Sequence, residues 1–186
     1  MRKRFEPEKE SLAQRFSLTF KVLDSNALQQ YRMRYLLGRL TQYVDEQTFG
    51  SEGHNRLEAF IGGKVDVEHI LPQTPRPEVV AQFDKPELLS TYIARLGNLA
   101  LAEKPLNTSL GNKPFVEKLP VYPRSQFLLT RVISERPVVG VNTSVERAVA
   151  GLQPFGTWDS KSIEDRQAQL GALAAKVWQM PPPDAQ

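Results

Sequence analysis

VDVEHILPQTP, residues 65–75, places one of the chain's two histidines between a carboxylate and a proline. The two valines and His69 alternate with charged residues, which predicts a short β-strand. Pro72 and Pro75 prevent regular pairing beyond the histidine, because proline has no backbone N–H to donate. The sequence therefore predicts a strand that ends at His69 and a loop that follows at once.

The residues after this loop predict a helix, a second strand and another helix. PELLSTYIARLG (86–97) is typical of a short helix closed by a glycine, Gly97. NLALAE (98–103) predicts the second strand, and NTSLGNKPFVEKL (107–119) begins with residues that cap helices. A small sheet with helices on either side of its second strand is the expected centre of the fold.

Helices are also expected on both sides of this centre. ALQQYRMRYLLGRLTQYVDEQ (27–47) carries apolar residues at helical spacing, namely Leu36, Leu40, Tyr43 and Val44. SQFLLTRVI and the run 159–180 predict further helices, the last with a buried stripe of Ile163, Leu170, Leu173, Val177 and Trp178. The predicted fold class is α+β, mostly helical, with a short two-stranded sheet embedded in flanking helices.

The expected domain organisation is one domain over residues 1–180, because 186 residues suffice for a single core. Its expected parts are an N-terminal helical part (1–62), the sheet and its helix (63–120), C-terminal helices (121–180) and a disordered tail (181–186).

The chain has no cysteine, so a metal must be held by oxygen or imidazole. No apolar run reaches the roughly 20 residues of a membrane span, and the N-terminus lacks a signal-peptide core, so we expect a cytoplasmic protein without membrane contact.

Positive charge is concentrated in residues 104–136. Six basic residues against two acidic ones give this segment +4, whereas the whole chain carries +3. The basic residues are Lys104, Lys113, Lys118, Arg124, Arg131 and Arg136. Such a segment is either a surface for a polyanion such as nucleic acid or an ordinary solvated face.

His69 alone has two interpretations, a packed structural histidine or a catalytic one. Glu68 directly before it favours the second, since a proton acceptor and an anionic oxygen then share one end of the sheet. That pair suits metal-assisted hydrolysis.

Three motifs in order resemble the HNH (ββα-metal) endonucleases: Glu68-His69 with Pro72, then Gly97-Asn98-Leu99, then Asn107 with Asn112-Lys113. EHILPQ, LGNLALAEKPLN and GNKPFVEKLPVYPRS, with the later Trp158, Arg166 and Trp178, more narrowly resemble the C-terminal nuclease domain of GmrSD-type, modification-dependent (type IV) restriction enzymes. The resemblance runs from about Tyr31 to Trp178, and its specific part is 66–125.

The resemblance implies a role for each matched residue. His69 would be the general base that deprotonates water at the scissile phosphate, and Asn98 would hold the loop that orients it. Glu68 would be a metal ligand, directly or through water. Asn107 and Asn112 are rival candidates for a neutral oxygen ligand, and the sequence does not separate them. The expected cofactor is Mg²⁺, with Mn²⁺ as substitute.

Lys104, Lys113, Lys118 and Arg124 are candidate contacts to DNA phosphates, or else plain surface residues. The family resemblance implies a DNA endonuclease of an anti-phage restriction system that recognises modified DNA. It also implies an N-terminal NTPase and sensor domain or subunit outside this chain, so the chain is expected to be either a fragment or a stand-alone subunit. The alternative is a catalytically silent DNA- or protein-binding module that retains the fold.

Overall fold

The computed structural model describes residues 6–50 and 57–180. The described chain is mostly helical with a two-stranded sheet, which confirms the predicted fold class. The predicted tail, 181–186, lies outside the described residues. The α-helices are α1 (Glu6–Val22), α2 (Gln30–Phe49), α3 (Leu57–Ile61), α4 (Pro77–Gln82), α5 (Leu89–Ala94), α6 (Lys104–Leu110), α7 (Phe115–Lys118), α8 (Leu128–Arg131), α9 (Ser144–Val149) and α10 (Ser160–Val177). Within these ranges no helix is both long and apolar enough to span a bilayer.

The sheet consists of β1 (Val65–His69) and β2 (Leu99–Glu103), paired antiparallel with His69 opposite Leu99. Both predicted strands are confirmed. The backbone N–H of Ile70 donates to the carbonyl of Asn98 at 3.0 Å, after which the chain leaves the sheet. The histidine therefore stands at the last paired position, where a side chain can face a loop rather than another strand.

Both faces of β2 are covered by apolar residues. Leu99 and Leu101 join a core cluster with residues of α2, α8 and α10, including Leu40. Ala100 and Ala102 join a second cluster on the opposite face. Because the sheet is enclosed, a charged group that points into either cluster must find a partner there.

Helix α2 packs against the first cluster through one side. Leu40 and Val44 are buried as predicted, while Leu36 and Tyr43 are half-buried and pack against the cluster's edge. Met33 and Leu37 complete the buried stripe. The amphipathic pattern therefore predicted the helix correctly. The observed buried face, however, lies part of a turn away from the predicted one.

Gly97 does not cap a helix as predicted. Helix α5 ends at Ala94, and Gly97 lies inside a 3₁₀ helix, Leu96–Asn98, that presses against α10. A Cβ atom on Gly97 would lie 2.1 Å from the carbonyl oxygen of Ile163. Arg166 donates to the carbonyls of Gly97 and Leu99, both at 2.7 Å, which fastens α10 to the start of β2.

Three further helix predictions are wrong in part. Helix α6 begins at Lys104, with a proline in its first turn, so Asn107 lies within the helix rather than at its start. The helix in SQFLLTRVI is limited to α8. Trp178 is 38% exposed beyond the end of α10, because the helix stops there and the buried stripe stops with it.

The close contact between Gly97 and α10 predicts that Gly97→Ala strongly destabilises the fold. The added methyl meets backbone, which cannot rotate away, so we expect a loss of at least about 1–3 kcal/mol in the free energy of unfolding. Urea denaturation would measure this loss. Gly63→Ala is the matched control, since its Cβ would meet nothing within 4 Å. Equal stability of the two variants would contradict the close packing at Gly97.

Candidate functional site

A small open cleft of about 130 Å³ lies at the end of β1. We name it the His69 cleft. Its lining residues are Val67, Glu68, His69, Pro72, Gln73, Asn107, Gly111 and Asn112. The cleft thus brings together four residues that were singled out from the sequence, although up to 44 positions separate them along the chain (112 − 68).

Two elements supply these side chains. The end of β1 carries Glu68 and His69, and α6 with the turn after it carries Asn107 and Asn112. The turn depends on Gly111, whose φ of 50° is a left-handed conformation that glycine adopts at little cost. Helix α6 packs against β1, so the two sets of polar groups face the same space.

The two asparagines differ in their surroundings. The Nδ2 of Asn112 donates to the Oγ1 of Thr74 at 2.7 Å, which ties the turn after α6 to the loop after β1. Asn107 is half-buried, and within the described residues its side chain makes no hydrogen bond. Its amide oxygen is therefore available to a ligand in the cleft.

Glu68 forms a buried ion pair with Lys118. The Lys118 Nζ donates to Glu68 Oε1 at 2.7 Å and to the His69 carbonyl at 2.8 Å, and the Tyr122 hydroxyl donates to the same carboxylate oxygen at 3.2 Å. The side chains of Lys118 and Glu68 are only 0% and 4% exposed. Burial raises the pKa of Glu68 above its ordinary value, and the charge and hydrogen bond of Lys118 oppose that rise.

Burial also determines the state of the other two ionisable groups here. It lowers the pKa of Lys118, against the attraction of Glu68. It raises the pKa of Tyr122 well above the ordinary value, helped by the adjacent carboxylate, so the hydroxyl stays protonated and remains a donor. These pairings meet the requirement that a charge enclosed beside the sheet be satisfied.

His69 is neutral at physiological pH. Burial, and then the positive charge of Lys118, lower its pKa from 6.5 to about 4. A neutral imidazole keeps one nitrogen free to accept a proton. His69 therefore carries an available proton acceptor into the cleft.

The loop after His69 is fastened by Asn98, which is fully buried. Its Oδ1 accepts from the backbone N–H of Leu71 at 2.6 Å and from the Trp158 indole at 2.9 Å. Its Nδ2 donates to the carbonyls of Leu71 at 2.9 Å and Ile93 at 3.0 Å. Four hydrogen bonds from one amide thus connect the His69 loop, α5 and the C-terminal part of the chain.

The predicted phosphate contacts lie apart from the cleft lining. Lys104 and Arg124 are exposed, and Lys113 is half-buried with its Nζ on the carbonyl of Ser109 at 2.7 Å. Lys118 has no exposed side-chain surface, which contradicts its prediction as a surface contact. Its ammonium group donates instead to the Glu68 carboxylate and to the His69 carbonyl.

The donor set of the His69 cleft suits a weakly held hard cation. One carboxylate, from Glu68, and three amides, from Gln73, Asn107 and Asn112, offer oxygen, the ligand type that Mg²⁺ and Mn²⁺ prefer. In the described part of the chain no three His, Asp or Glu residues are grouped so as to hold a metal alone. Water and substrate oxygens would have to complete the coordination.

Sequence reasoning missed Tyr122 and the partnership of Lys118 with Glu68. Fifty positions separate that pair, and Lys118 looked like one more lysine of a basic segment. Trp158 belonged to the resemblance without a role, and its hydrogen bond to Asn98 spans 60 positions. No local pattern signals either contact.

Comparison with protein families decides the class of this chain. The family described as GmrSD restriction endonucleases, C-terminal domain, matches residues 11–173. The chain belongs to this family. A search of curated proteins found no match, and a search of solved structures found none. The predicted resemblance is confirmed, and membership of GmrSD_C indicates the nuclease domain of a restriction endonuclease.

Because Glu68 and Lys118 are paired in a buried position, we expect Lys118→Met to destabilise the fold far more than replacement of both side chains. The single change leaves the Glu68 carboxylate enclosed without its cation, which we expect to cost about 3–5 kcal/mol in the free energy of unfolding. Adding Glu68→Gln should recover most of that loss. Urea denaturation of both variants would measure the difference, and equal losses would show that the two side chains are not coupled.

The environment of His69 predicts an unusual titration. In a His54→Gln variant, which leaves a single histidine, NMR should show the His69 imidazole titrating near pH 4 rather than 6.5. The unfolded chain then binds the proton first, so the His69 contribution to stability is complete above pH 6.5 and is lost as the pH falls towards 4. A titration midpoint between pH 6 and 7 would contradict the burial of the ring.

Proposed function

We propose that this GmrSD_C domain is a divalent-metal-dependent DNA endonuclease of the HNH type, with His69 as general base. One observation carries the proposal. The strand end and helix α6 bring Glu68, His69 and Asn107 to a single open cleft. Metal-assisted hydrolysis of a phosphodiester requires a general base next to oxygen atoms that can bind a metal ion.

His69 would take the proton from the attacking water. Its ring is neutral, and its backbone carbonyl is fixed by the Lys118 ammonium. The negative charge of a DNA phosphate in the cleft would raise the pKa of His69 above about 4, towards the range in which a base works best. Asn98 keeps the following loop, and with it the ring, in one orientation.

Glu68 and Asn107 would hold the metal. Oε1 of Glu68 already accepts from Lys118 and Tyr122, so the carboxylate would contribute its other oxygen, directly or through water. Within the described residues the Asn107 side chain makes no hydrogen bond, so its amide can turn its oxygen towards the metal. The amide of Asn112 is held in one orientation by the bond from its Nδ2 to Thr74, although its oxygen is not used by that bond. We therefore assign the amide ligand to Asn107. When bound, Mg²⁺, or Mn²⁺ in its place, supplies stabilisation of charge on the phosphate and on the leaving oxygen.

Lys104, Lys113 and Arg124 would contact backbone phosphates and provide salt-sensitive affinity without reading sequence. The family description names a C-terminal domain, which supports an N-terminal partner domain in the complete system. We propose that this partner uses nucleotide and senses modified DNA, and that the system acts against phage in the cytoplasm.

A second function rests on one contact. Lys118 neutralises Glu68, the carboxylate of the cleft, and such a pair would also suit a silent DNA- or protein-binding module. Metal binding and cleavage distinguish that module from the nuclease.

Plasmid cleavage tests the proposed base. With Mg²⁺ or Mn²⁺ we expect nicking or linearisation that EDTA abolishes and that His69→Ala lowers by about 100-fold or more, with DNA binding retained. His54→Ala is the control for loss of a histidine. Unmodified and hydroxymethylated or glucosylated plasmids show whether this domain distinguishes them. Undiminished cutting by His69→Ala would contradict the mechanism.

Thermal denaturation tests the ligand assignment separately from activity. Mn²⁺ at about ten times its Kd should raise the melting temperature of the wild type, since a ligand that binds only the folded state stabilises it. We expect Asn107→Ala to abolish this shift and Asn112→Ala to retain it. The opposite pattern would assign the ligand to Asn112, and no shift in the wild type would favour the silent module.

A further inference from the structure

A second cleft, of about 380 Å³, adjoins the His69 cleft at Pro72, which lines both. We name it the aromatic cleft. The turn of residues 70–72 forms part of its wall, directly after His69 in the chain. Its volume is within the range of small-molecule sites, about 300–1,000 Å³, and close to the lower end. Whatever enters it lies next to the candidate catalytic residues.

The apolar part of the aromatic cleft is built from aromatic rings that are held in place by their neighbours. Phe83, Phe115 and Trp158 line it. The rings of Phe115 and Trp158 stack with centroids 5.1 Å apart and planes 29° apart. The Trp158 indole donates to Asn98, which fixes its orientation. A wall of ordered aromatic rings favours a planar ligand.

The polar part accepts hydrogen bonds and repels anions. Asp84 and Asp159 both line the cleft, and their carboxylates accept hydrogen bonds from Ser160 and Ser162. Gln82 lines it too, and its exposed side chain makes no hydrogen bond within the described residues. Carboxylates disfavour a phosphate and favour a group that carries N–H donors. The lining therefore favours a planar ligand that carries amino groups and is not an anion.

We propose that the aromatic cleft receives one nucleobase that has turned out of the DNA at the cleavage position. This inference rests on the proposed function and adds a base-binding subsite to it. A turned-out base is held by contact with aromatic side chains and by hydrogen bonds to its edge, and both kinds of group are present. Cytosine, adenine and guanine carry an exocyclic amino group for the carboxylates, whereas thymine does not.

Occupation of the aromatic cleft also bears on the His69 loop. Leu71 and Trp158 both line the cleft, and both are hydrogen-bonded to Asn98. A base packed there would press on the same residues that hold the loop. Binding a base and orienting His69 are therefore connected through one amide.

Tryptophan fluorescence tests the proposal without any cleavage. The chain has two tryptophans, and Trp178→Phe leaves Trp158 as the single reporter. Deoxycytidine and deoxyadenosine, titrated to about 10 mM, should change its emission with saturation. Thymidine should bind about tenfold more weakly, and the 5′-monophosphates should bind no more tightly than the nucleosides.

Two neighbouring substitutions on α4 provide a matched pair in this background. Val79 lines the aromatic cleft, and Val80 beside it does not, while both are half-buried. Val79→Phe should fill the cleft and abolish the nucleoside response, and Val80→Phe should retain it. If Val79→Phe does not fold, Gln82→Ala serves instead and should weaken binding of deoxycytidine about tenfold.

Absence of any saturable response, or equal responses in Val79→Phe and Val80→Phe, would overturn the base-binding subsite. The same proteins assayed for plasmid cleavage separate the two proposals. Cleavage without nucleoside binding would refute the subsite and leave the nuclease intact. Nucleoside binding by a wild type that neither cleaves plasmid nor is stabilised by Mn²⁺ would refute the nuclease and support the cleft as a base-binding site.

Discussion

The buried amide of Asn98 is the constraint on which the site depends. Its four hydrogen bonds reach Leu71, Ile93 and Trp158, so the loop after β1, helix α5 and the C-terminal chain meet at one side chain. An amide offers two donors and an acceptor with two lone pairs, and all of that capacity is used here. Replacing it would leave several buried polar groups unsatisfied at once, each at a cost of about 1–3 kcal/mol. This network holds the loop that directly follows His69.

A second constraint is the enclosure of the sheet. Because apolar clusters cover both faces of β2, the carboxylate of Glu68 enters a space where an unpaired charge is costly. Lys118 and Tyr122 offset that cost by hydrogen bonding to the carboxylate, and Lys118 also donates to the backbone carbonyl of His69. The same burial keeps the imidazole of His69 neutral. Stability and the proposed chemistry therefore draw on one set of contacts.

Much of the fold could be predicted from local pattern. Alternation and proline placed β1 and its end at His69, and apolar spacing placed α2. Gly97 shows where such reasoning fails, because a glycine after a helical pattern indicates a cap, whereas here it permits α10 to approach within contact of the 3₁₀ helix. The prediction for Lys118 fails in the same way. A lysine in a basic segment indicates a solvent-exposed side chain, and nothing local indicates a partner 50 positions away.

The sequence by itself determined the strands, the principal helices, the family and the residue types that carry the chemistry, because each leaves a local or ordered pattern. Only the tertiary structure decided that Glu68, His69, Asn107 and Asn112 share one cleft and that Asn112 is tied to the loop after β1 through Thr74. It also decided that Lys118 is buried and that the aromatic cleft adjoins the site. Hydrogen bonding and burial depend on which distant segments meet, and that information is not contained in the spacing of residues along the chain.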